Sequence, residues 1–313
     1  MTSPPHRSRV TGWYDDPDLV GDLPWHWRGY AAYLRAAANR RTGVVRGGSF
    51  LFRRLRWCTR RFGLQDTARV RVGRRAVWVD LLDQRCLWVF DELRGASPEA
   101  RVLAQLLRAG DTFLDVGANH GSFAILATEL VGPAGKVIAI EPQPRLASLI
   151  QRSLTDQGAA PFEVHAVALG HRATQGSLHI PGAGSGAANV FRPLDRFPGQ
   201  TIAVPIRRPD DYLPWQTWPG RLTIKLDVEG SEPDFLLGAK QLLAARQPPI
   251  LIEISPDTAR LAGRSVRELM DTLRSVGYAR VAELDAFPRA VGPDDVDLTR
   301  QRNVVALWGE GPR

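Results

Sequence analysis

The spacing of hydrophobic and polar residues changes several times along this chain. Over its last two thirds, short apolar runs typical of buried strands are separated by segments with apolar residues at helical spacing. The pattern predicts strands at 112–116, 136–141, 162–167, 222–226 and 249–254, and helices at 121–131, 144–157, 232–244 and 265–276. Strands separated by helices are typical of parallel βαβ units. With two more strands near 279–283 and 303–308, we predict an α/β fold with a doubly wound, mostly parallel, seven-stranded sheet.

The first third of the chain follows other patterns. We predict a helix at 24–41 and, after two glycines, a basic amphipathic helix at 49–62. Alternating residues around Gly73 predict a hairpin, and Ser97 followed by a proline predicts the start of a helix that runs to Gly110. We therefore divide the chain into an Arg- and Trp-rich helical extension at 1–66, a hairpin and helix that lead into the core at 67–110, and the main domain at 111–313.

Composition adds few constraints to this picture. With 313 residues, 44% of them hydrophobic, the chain can bury a large core. It contains neither a run of about 18 apolar residues nor, near its first residue, the apolar stretch of a secretory signal. We therefore expect a cytoplasmic protein. Cys58 and Cys86 have no second pair of metal-type ligands nearby, so we expect both to be reduced and structural.

The formal net charge of +8 raises the question of an anionic partner. Arginines are dense in the 49–62 segment, where they alternate with aromatic and aliphatic residues. One interpretation is a peripheral contact with a membrane surface, and another is a nucleic-acid patch. A third is a helix that packs its apolar side on the main domain and leaves its arginines in solvent.

The turn at 113–121 is the first candidate for chemistry. A buried-type strand ends at Asp115 and Val116, and the small residues of the turn lead directly into a helix that begins at Ser122. Ligands of doubly wound sheets bind outside the carboxyl ends of the strands. Gly117 and Gly121 can adopt positive φ and let a ligand approach the backbone, and Asp115 can receive an ammonium group. The second glycine of the dinucleotide pattern Gly-x-Gly-x-x-Gly is missing, which disfavours a pyrophosphate.

Acids at the ends of two later strands extend this candidate site. Glu141 ends the strand at 136–141, where a carboxylate can accept both hydroxyls of a ribose. Asp227 ends the strand at 222–226, and Glu229 follows two residues later. A carboxylate there can orient or deprotonate a substrate hydroxyl, or bind a divalent metal together with a second acid. Glu229 and Glu232 can instead simply cap the next helix.

These motifs, in this order, resemble those of the FkbM-type methyltransferases. The resemblance covers roughly residues 70–308 and rests on Asp-Val-Gly-Ala-Asn-His-Gly at 115–121, Val-Ile-Ala-Ile-Glu-Pro at 137–142, Val-Ala-Leu-Gly at 167–170, Lys-Leu-Asp-Val-Glu-Gly-Ser-Glu at 225–232 and Ile-Leu-Ile-Glu-Ile at 250–254. It implies a Rossmann-like, class I methyltransferase that uses S-adenosylmethionine, usually to methylate a hydroxyl of a sugar, a polyketide or another secondary metabolite.

The resemblance also implies roles for individual residues. The cofactor would contact Glu99, Asp115, Gly117, Ala118, Asn119, Gly121, Ser122, Glu141, Pro142, Ala166 and Val167, the last two at the adenine. Asp227 and Glu229 match the acidic pair of the family, and we expect Asp227 to be the base. The chain departs from the family pattern at His120, which we consider as a further base, and at His171. A divalent metal is a further expectation that the motifs do not settle.

Three other functions compete with this one. A nicotinamide-dependent oxidoreductase of the same topology is disfavoured by the glycine spacing. A nucleic-acid methyltransferase would use the arginines at 53–61, but the chain has Asp-Val-Glu-Gly at 227–230 where amino-methyltransferases often carry a Pro-Pro-Tyr or Pro-Pro-Phe motif. A purely binding protein would need a degenerate cofactor turn. For the acceptor we expect a small molecule, covered by a glycine-rich loop at 182–189 and by aromatic platforms at Tyr212, Trp215 and Trp218.

Overall fold

The computed structural model describes residues 13–39, 48–181, 185–190 and 199–309. The helices are α1 Pro17–Asp22, α2 Trp25–Asn39, α3 Gly48–Arg61, α4 Cys86–Leu93, α5 Pro98–Leu106, α6 Ser122–Val131, α7 Pro144–Gln157, α8 Pro209–Tyr212, α9 Glu232–Gly238, α10 Lys240–Arg246, α11 Pro256–Leu261 and α12 Val266–Ser275. The strands are β1 Thr67–Val72, β2 Arg75–Asp80, β3 Thr112–Val116, β4 Lys136–Ile140, β5 Phe162–His165, β6 Ala168–Leu169, β7 Thr174–Pro181, β8 Gly199–Arg207, β9 Leu222–Leu226, β10 Ile250–Ile254, β11 Arg280–Glu283 and β12 Arg302–Leu307.

Seven strands form the central sheet, in the order β11-β12-β10-β9-β3-β4-β5. The five strands from β10 to β5 are parallel neighbours, whereas β12 runs antiparallel between β10 and β11. All residues of β3 and β9 are buried, as expected of central strands covered by helices on both faces. The predicted α/β fold with a doubly wound, mostly parallel, seven-stranded sheet is confirmed.

The strand order places a crevice beside β3. After β3 the chain continues through β4 to β5 on one side, and it later continues from β9 to β10 on the other side. The loops that follow β3, β4 and β9 therefore diverge at the same edge of the sheet. In open α/β sheets, this reversal of strand order is where ligands bind.

A second sheet of three strands, in the order β6-β8-β7, was not predicted. β7 and β8 form an antiparallel pair from Thr174 opposite Ile206 to Pro181 opposite Gly199, and β6 adds a short parallel strand to β8. For this part of the chain we expected a glycine-rich loop at 182–189. Residues 182–184 of that loop lie outside the described residues, but 174–181 and 199–207 are regular strands.

The predicted helix at 232–244 is two helices, α9 and α10. The break follows Gly238, where a Cβ atom would lie 2.4 Å from the carbonyl oxygen of Gly170. The missing side chain therefore lets the end of α9 approach the turn after β6. Helices α1, α4, α8 and α11 were also not predicted.

The N-terminal helices share a hydrophobic core with the hairpin β1-β2 and with α6. Trp27 of α2 and Phe52 of α3 are both 1% exposed, and their rings meet edge to face with centroids 5.6 Å apart. The same cluster contains Val70 of β1 and Ile125 of α6. Helix α2 covers the predicted segment 24–41 as far as Asn39, and residues 40 and 41 lie outside the described residues. The proposed boundaries after residues 66 and 110 stay a prediction.

Among the described residues, no helix is both long enough and apolar enough to span a bilayer.

Candidate active site

A cavity of about 950 Å³ opens at the carboxyl ends of β3, β4, β9 and β10. The side facing the sheet is lined by ten of the residues predicted from the sequence: Glu99, Gly117, Ala118, Asn119, Ser122, Glu141, Pro142, Val167, Asp227 and Glu229. Pockets for small ligands are typically about 300–1,000 Å³. The cavity is therefore at the upper end of that range, which suits a site for a cofactor and an acceptor together.

The turn after β3 depends on a close approach between two loops. Gly117 has a φ of 81°, and a Cβ atom on it would lie 1.9 Å from the backbone oxygen of Asp227. The N–H groups of Gly117 and Ala118 both donate to the carbonyl of Ile140 at 3.0 Å. The turn is thus fixed between the ends of β4 and β9, and its backbone faces the cavity.

Glu141 holds the other side of this turn. It is buried, one carboxylate oxygen accepts the N–H of Asn119 at 2.8 Å, and the other accepts the N–H of Gln143 at 2.9 Å. Burial raises the pKa of Glu141 to about 7, and the two backbone hydrogen bonds oppose this rise. A hydroxyl donor in the cavity would stabilise the ionised form further.

Four predicted residues lie behind the wall of the cavity or away from it. Asp115 is buried beneath the turn, where burial raises its pKa to about 6 although Lys225 acts to lower it. His120 is buried as well, with Nδ1 at 2.7 Å from Oδ1 of Asn119 and a pKa lowered chiefly by burial. Gly121 packs against Ile150. Ala166 is exposed and, unlike Val167, is not part of the cavity wall.

Asp227, the first residue after β9, forms an ion pair with Lys225 of that strand. The Nζ atom of Lys225 lies 3.0 Å from Oδ2 of Asp227. Burial acts to raise the pKa of Asp227, but the charge and hydrogen bond of Lys225 prevail and lower it. The side chain of Asp227 is one-third exposed, so an ionised carboxylate faces the cavity.

Two further acids lie beside Asp227. One carboxylate oxygen from each of Asp227, Glu229 and Glu253 lies within 4.8 Å of the others. Burial and the neighbouring acids raise the pKa of Glu229 to about 9, so it is protonated at neutral pH. These three oxygens could also hold a divalent cation, since hard cations prefer carboxylate ligands. Glu253 was not predicted as a site residue, although it lies in β10, the strand next to β9.

The loop between β9 and α9 presents Glu229 through an unusual backbone conformation. Glu229 has a φ of 53°, in the left-handed region, and Gly230 follows with a φ of 98°. Glu232 closes this loop because its Oε1 accepts the N–H groups of Val228 at 3.1 Å and Gly230 at 3.2 Å. Glu232 is thus the loop-closing acid, whereas Glu229 faces the cavity.

Helix α4 and the residue before it contribute side chains that were not predicted from the sequence. Nη2 of Arg85 lies 2.5 Å from Oε1 of Glu92, and the hydroxyl of Ser122 donates to the other oxygen of Glu92. Nη1 of Arg85 is buried and has no hydrogen-bond partner among the described residues. Arg85 also lines the cavity, together with Trp88 at its rim. A cationic donor therefore borders the cavity close to the acids.

Glu99 reaches the cavity from the start of α5. Its Oε1 accepts a hydrogen bond from the side chain of Asn303 at 2.9 Å. Asn303 belongs to β12 and also lines the cavity. The contact joins α5 to the sheet at the mouth of the site.

The second sheet forms the wall opposite the central sheet. Leu178 and Ile206 supply apolar contacts there, and His171, Thr174 and Asn189 supply polar groups. The prediction that aromatic side chains form platforms in the cavity is wrong. Trp215 and Trp218 are buried in the core. Tyr212, whose hydroxyl lies 3.0 Å from Nδ1 of His165, does not line the cavity.

Comparison with known proteins gives one family and a set of distantly similar structures. No curated protein matches the chain. Similar solved structures include a methyltransferase FkbM from Methylobacillus flagellatus KT, with 17% identity over 72% of this chain and 55% of that chain and a TM-score of 0.38. A SAM-dependent methyltransferase from Aquifex aeolicus has 18% identity over 73% of this chain and 95% of that chain, with a TM-score of 0.38. Fibrillarin from Aeropyrum pernix, in complex with natively bound S-adenosyl-L-methionine, has 13% identity over 77% and 89% of the two chains and a TM-score of 0.37.

The family model of the methyltransferase FkbM domain matches residues 115–279. The match begins at the end of β3 and includes the loops after β4 and β9, and most of the residues that line the cavity fall within it. It covers more than half of the chain. The protein therefore belongs to the FkbM methyltransferase family and is an S-adenosylmethionine-dependent methyltransferase.

Proposed function

We propose that this enzyme methylates a hydroxyl group of a small molecule, most simply a sugar, a polyketide or another secondary metabolite. The proposal rests on one observation: the carboxyl groups of Asp227 and Glu229 face the cavity side by side, the first with a pKa lowered by Lys225 and the second with a pKa raised by burial. This pair offers a proton acceptor and a hydrogen-bond donor to the same hydroxyl. An amine acceptor would need less help with its proton.

The residues of the cavity fit the cofactor. The turn at Gly117 lines the cavity, and the carboxylate of Glu141 lies where ribose hydroxyls could donate to it. The buried Nη1 of Arg85, without a partner among the described residues, suits the methionine carboxylate. When bound, S-adenosylmethionine supplies a methyl group already activated by its positively charged sulfur.

Asp227 is proposed to take the proton of the acceptor hydroxyl. Lys225 occupies Oδ2, so Oδ1 is the oxygen available for this transfer. A lowered pKa makes Asp227 a weak base, but a hydroxyl oxygen becomes strongly acidic as it gains a methyl group. A weak base that stays ionised over a wide pH range is therefore sufficient. Glu229 is proposed to orient the hydroxyl through its own proton.

The acceptor class can be tested with methyl-labelled S-adenosylmethionine and pairs of sugars that differ only in a hydroxyl or an amine at one position. We expect label to appear on the hydroxyl member of a pair and not on the amine member or on RNA. Label that appears only on amines, or only on RNA, would contradict the proposal.

Asp227→Asn is the first predicted variant. It keeps the shape of the side chain but removes the proton acceptor, so we expect turnover to fall by about 100-fold or more. Affinity for S-adenosylhomocysteine, measured by calorimetry, should stay within a few-fold.

Asp234→Asn is the matched control, because Asp234 lines the same cavity but pairs with Arg264 and lies outside the acidic trio. Its turnover should stay close to that of the unmodified enzyme. If Asp227→Asn retained full turnover, Asp227 would have no part in the chemistry.

A further inference from the structure

The outward face of α3 concentrates positive charge without compensation. Arg53, Arg54, Arg60 and Arg61 are all exposed, and because Arg53 and Arg60, like Arg54 and Arg61, are two helical turns apart, the four lie on one side of the helix. None of the four forms an ion pair with an acid in the described part of the chain. The segment 48–64 contains no acidic residue at all.

Several exposed arginines elsewhere are paired with acids. Arg74 pairs with Glu129 at 2.7 Å, and Arg260 pairs with Asp257 at 2.7 Å. Because these charges are neutralised locally, part of the net charge of +8 is concentrated on α3. A surface of this kind attracts polyanions or anionic lipids.

Three large aromatic side chains share this surface. Phe50, Trp57 and Phe62 are 59%, 56% and 64% exposed. The inner side of α3 is fully packed, since Phe52 and Thr59 are each 1% exposed. The aromatic rings are thus held outward on an anchored helix. Exposed rings on a basic helix are typical of segments that lie in the membrane interface.

The arrangement of the rings favours a bilayer over nucleic acid. The guanidinium of Arg54 lies over the ring of Phe50 at 6.0 Å, and that of Arg61 lies over the ring of Phe62 at 5.9 Å. Trp57 meets Phe62 edge to face at 6.2 Å. Base stacking needs an open ring face, whereas insertion between lipid headgroups needs only apolar edges with cations beside them.

We propose that the basic and aromatic face of α3 docks the enzyme on the surface of an anionic lipid bilayer. The arginines contact the lipid phosphates and carboxylates, and the three rings enter the headgroup region. The docking is peripheral. It depends on α3 and on Phe62, the residue after it, and not on the identity of the methyl acceptor.

Vesicle flotation of the full chain tests this proposal. We expect binding to vesicles of phosphatidylcholine mixed with phosphatidylserine, and little binding to phosphatidylcholine alone. In Arg53→Gln/Arg54→Gln, binding should fall by about fivefold for each arginine removed. In Trp57→Ala it should fall at both low and high salt, because the ring contributes through apolar burial.

The matched control is Arg267→Gln/Arg289→Gln, which removes the same charge from two exposed arginines far along the chain. It should bind the anionic vesicles like the unmodified protein. Thermal unfolding and S-adenosylhomocysteine binding should be unchanged in all these variants, which confirms that they fold. Equal loss in the control and the α3 variants would overturn the proposal, as would binding to a random oligonucleotide without binding to vesicles.

Discussion

At Gly117, the absence of a side chain decides how two loops of the site meet. The backbone oxygen of Asp227 occupies the place of a Cβ atom, and the N–H of Asp227 donates to the carbonyl of Val116 at 3.1 Å. The loop that carries the proposed base therefore rests directly on the cofactor turn. A backbone atom cannot move aside as a flexible side chain can.

Gly117→Ala should consequently abolish cofactor binding. Gly132→Ala is its control, because Gly132 also has a positive φ, 63°, but has nothing within 4 Å of an added Cβ. Gly132→Ala should lose about 1–3 kcal/mol of folding free energy, because a φ of 63° with a ψ of −170° is a conformation that favours glycine, and Gly117→Ala should lose more because of the added backbone clash. Calorimetry with S-adenosylhomocysteine should show binding in Gly132→Ala alone. Equal affinity in the two variants would mean that the turn tolerates the displacement.

The site residues that could be predicted from the sequence are those that follow a strand at once. Glu141 and Asp227 follow buried apolar runs, so their place at the edge of the sheet follows from the pattern. Arg85 could not be predicted, because its position depends on a pair with Glu92 and on how α4 packs against α6. For His120 the prediction was wrong in the opposite direction. Its position in the turn suggested that it faces the cavity, but its side chain is buried behind the cavity wall.

Among the elements, α4 and the pair β7-β8 were the main omissions. Helix α4 has only eight residues, which is short for a helical period to be recognised. Strand β8 does show alternation at Ile202, Val204 and Ile206, but Pro205 interrupts it and Gly199 stands at its start. Proline lacks an N–H group and argues against a strand in any sequence-based prediction.

Arg85, which directly precedes α4, and Glu92 within it act as a clamp on Ser122 at the start of α6. Arg85→Ala should leave Glu92 without its cationic partner and cost about 3 kcal/mol of stability, as for other largely buried pairs. It should also weaken S-adenosylhomocysteine binding. Chemical denaturation and calorimetry measure the two effects.

Arg94→Ala provides the comparison for this helix. Arg94 is at the end of α4 and pairs with Asp91, whose side chain is 57% exposed. An exposed pair contributes at most about 1 kcal/mol. Similar losses in the two variants would show that the clamp has no special role.

For the molecule as a whole, buried acids set the dependence of stability on pH. Burial raises the pKa of Asp115 to about 6, of Glu141 and Glu232 to about 7, and of Glu229 to about 9. Above the ordinary pKa values of these groups, the folded state holds protons that the unfolded chain has released. Raising the pH therefore favours unfolding until each folded-state pKa is passed.

The cofactor-free protein should accordingly lose stability steadily as the pH rises from about 5 to about 9. The slope is about 1.4 kcal/mol per pH unit for each extra proton held. In Glu229→Gln the decline should flatten between about 7 and 9, the interval in which only Glu229 of the four still titrates. Thermal unfolding across this pH range checks both statements. A flat profile for the unmodified protein would contradict the proposed proton on Glu229.

The sheet as a whole followed from the spacing of apolar runs, but its strand order did not. The periodicity of hydrophobic residues indicates which residues are buried. The order of the strands depends instead on contacts between segments far apart in the chain, such as β3 with β9. The packing of α1 to α3 into the same core as β1 and α6 could likewise not be predicted from the sequence. Such a prediction requires knowing which buried faces of several amphipathic helices contact one another.

The cavity has two walls of different construction. One is built from central strands and locked by the contact between Gly117 and Asp227, and the other is a small sheet inserted between β5 and β9. A change in the inserted sheet leaves the strands that carry the cofactor turn in place. Relatives can thus diverge in what they modify while keeping one methyl-donor site, and a laboratory search for new acceptors has a natural target in the side chains at Thr174, Leu178 and Asn189.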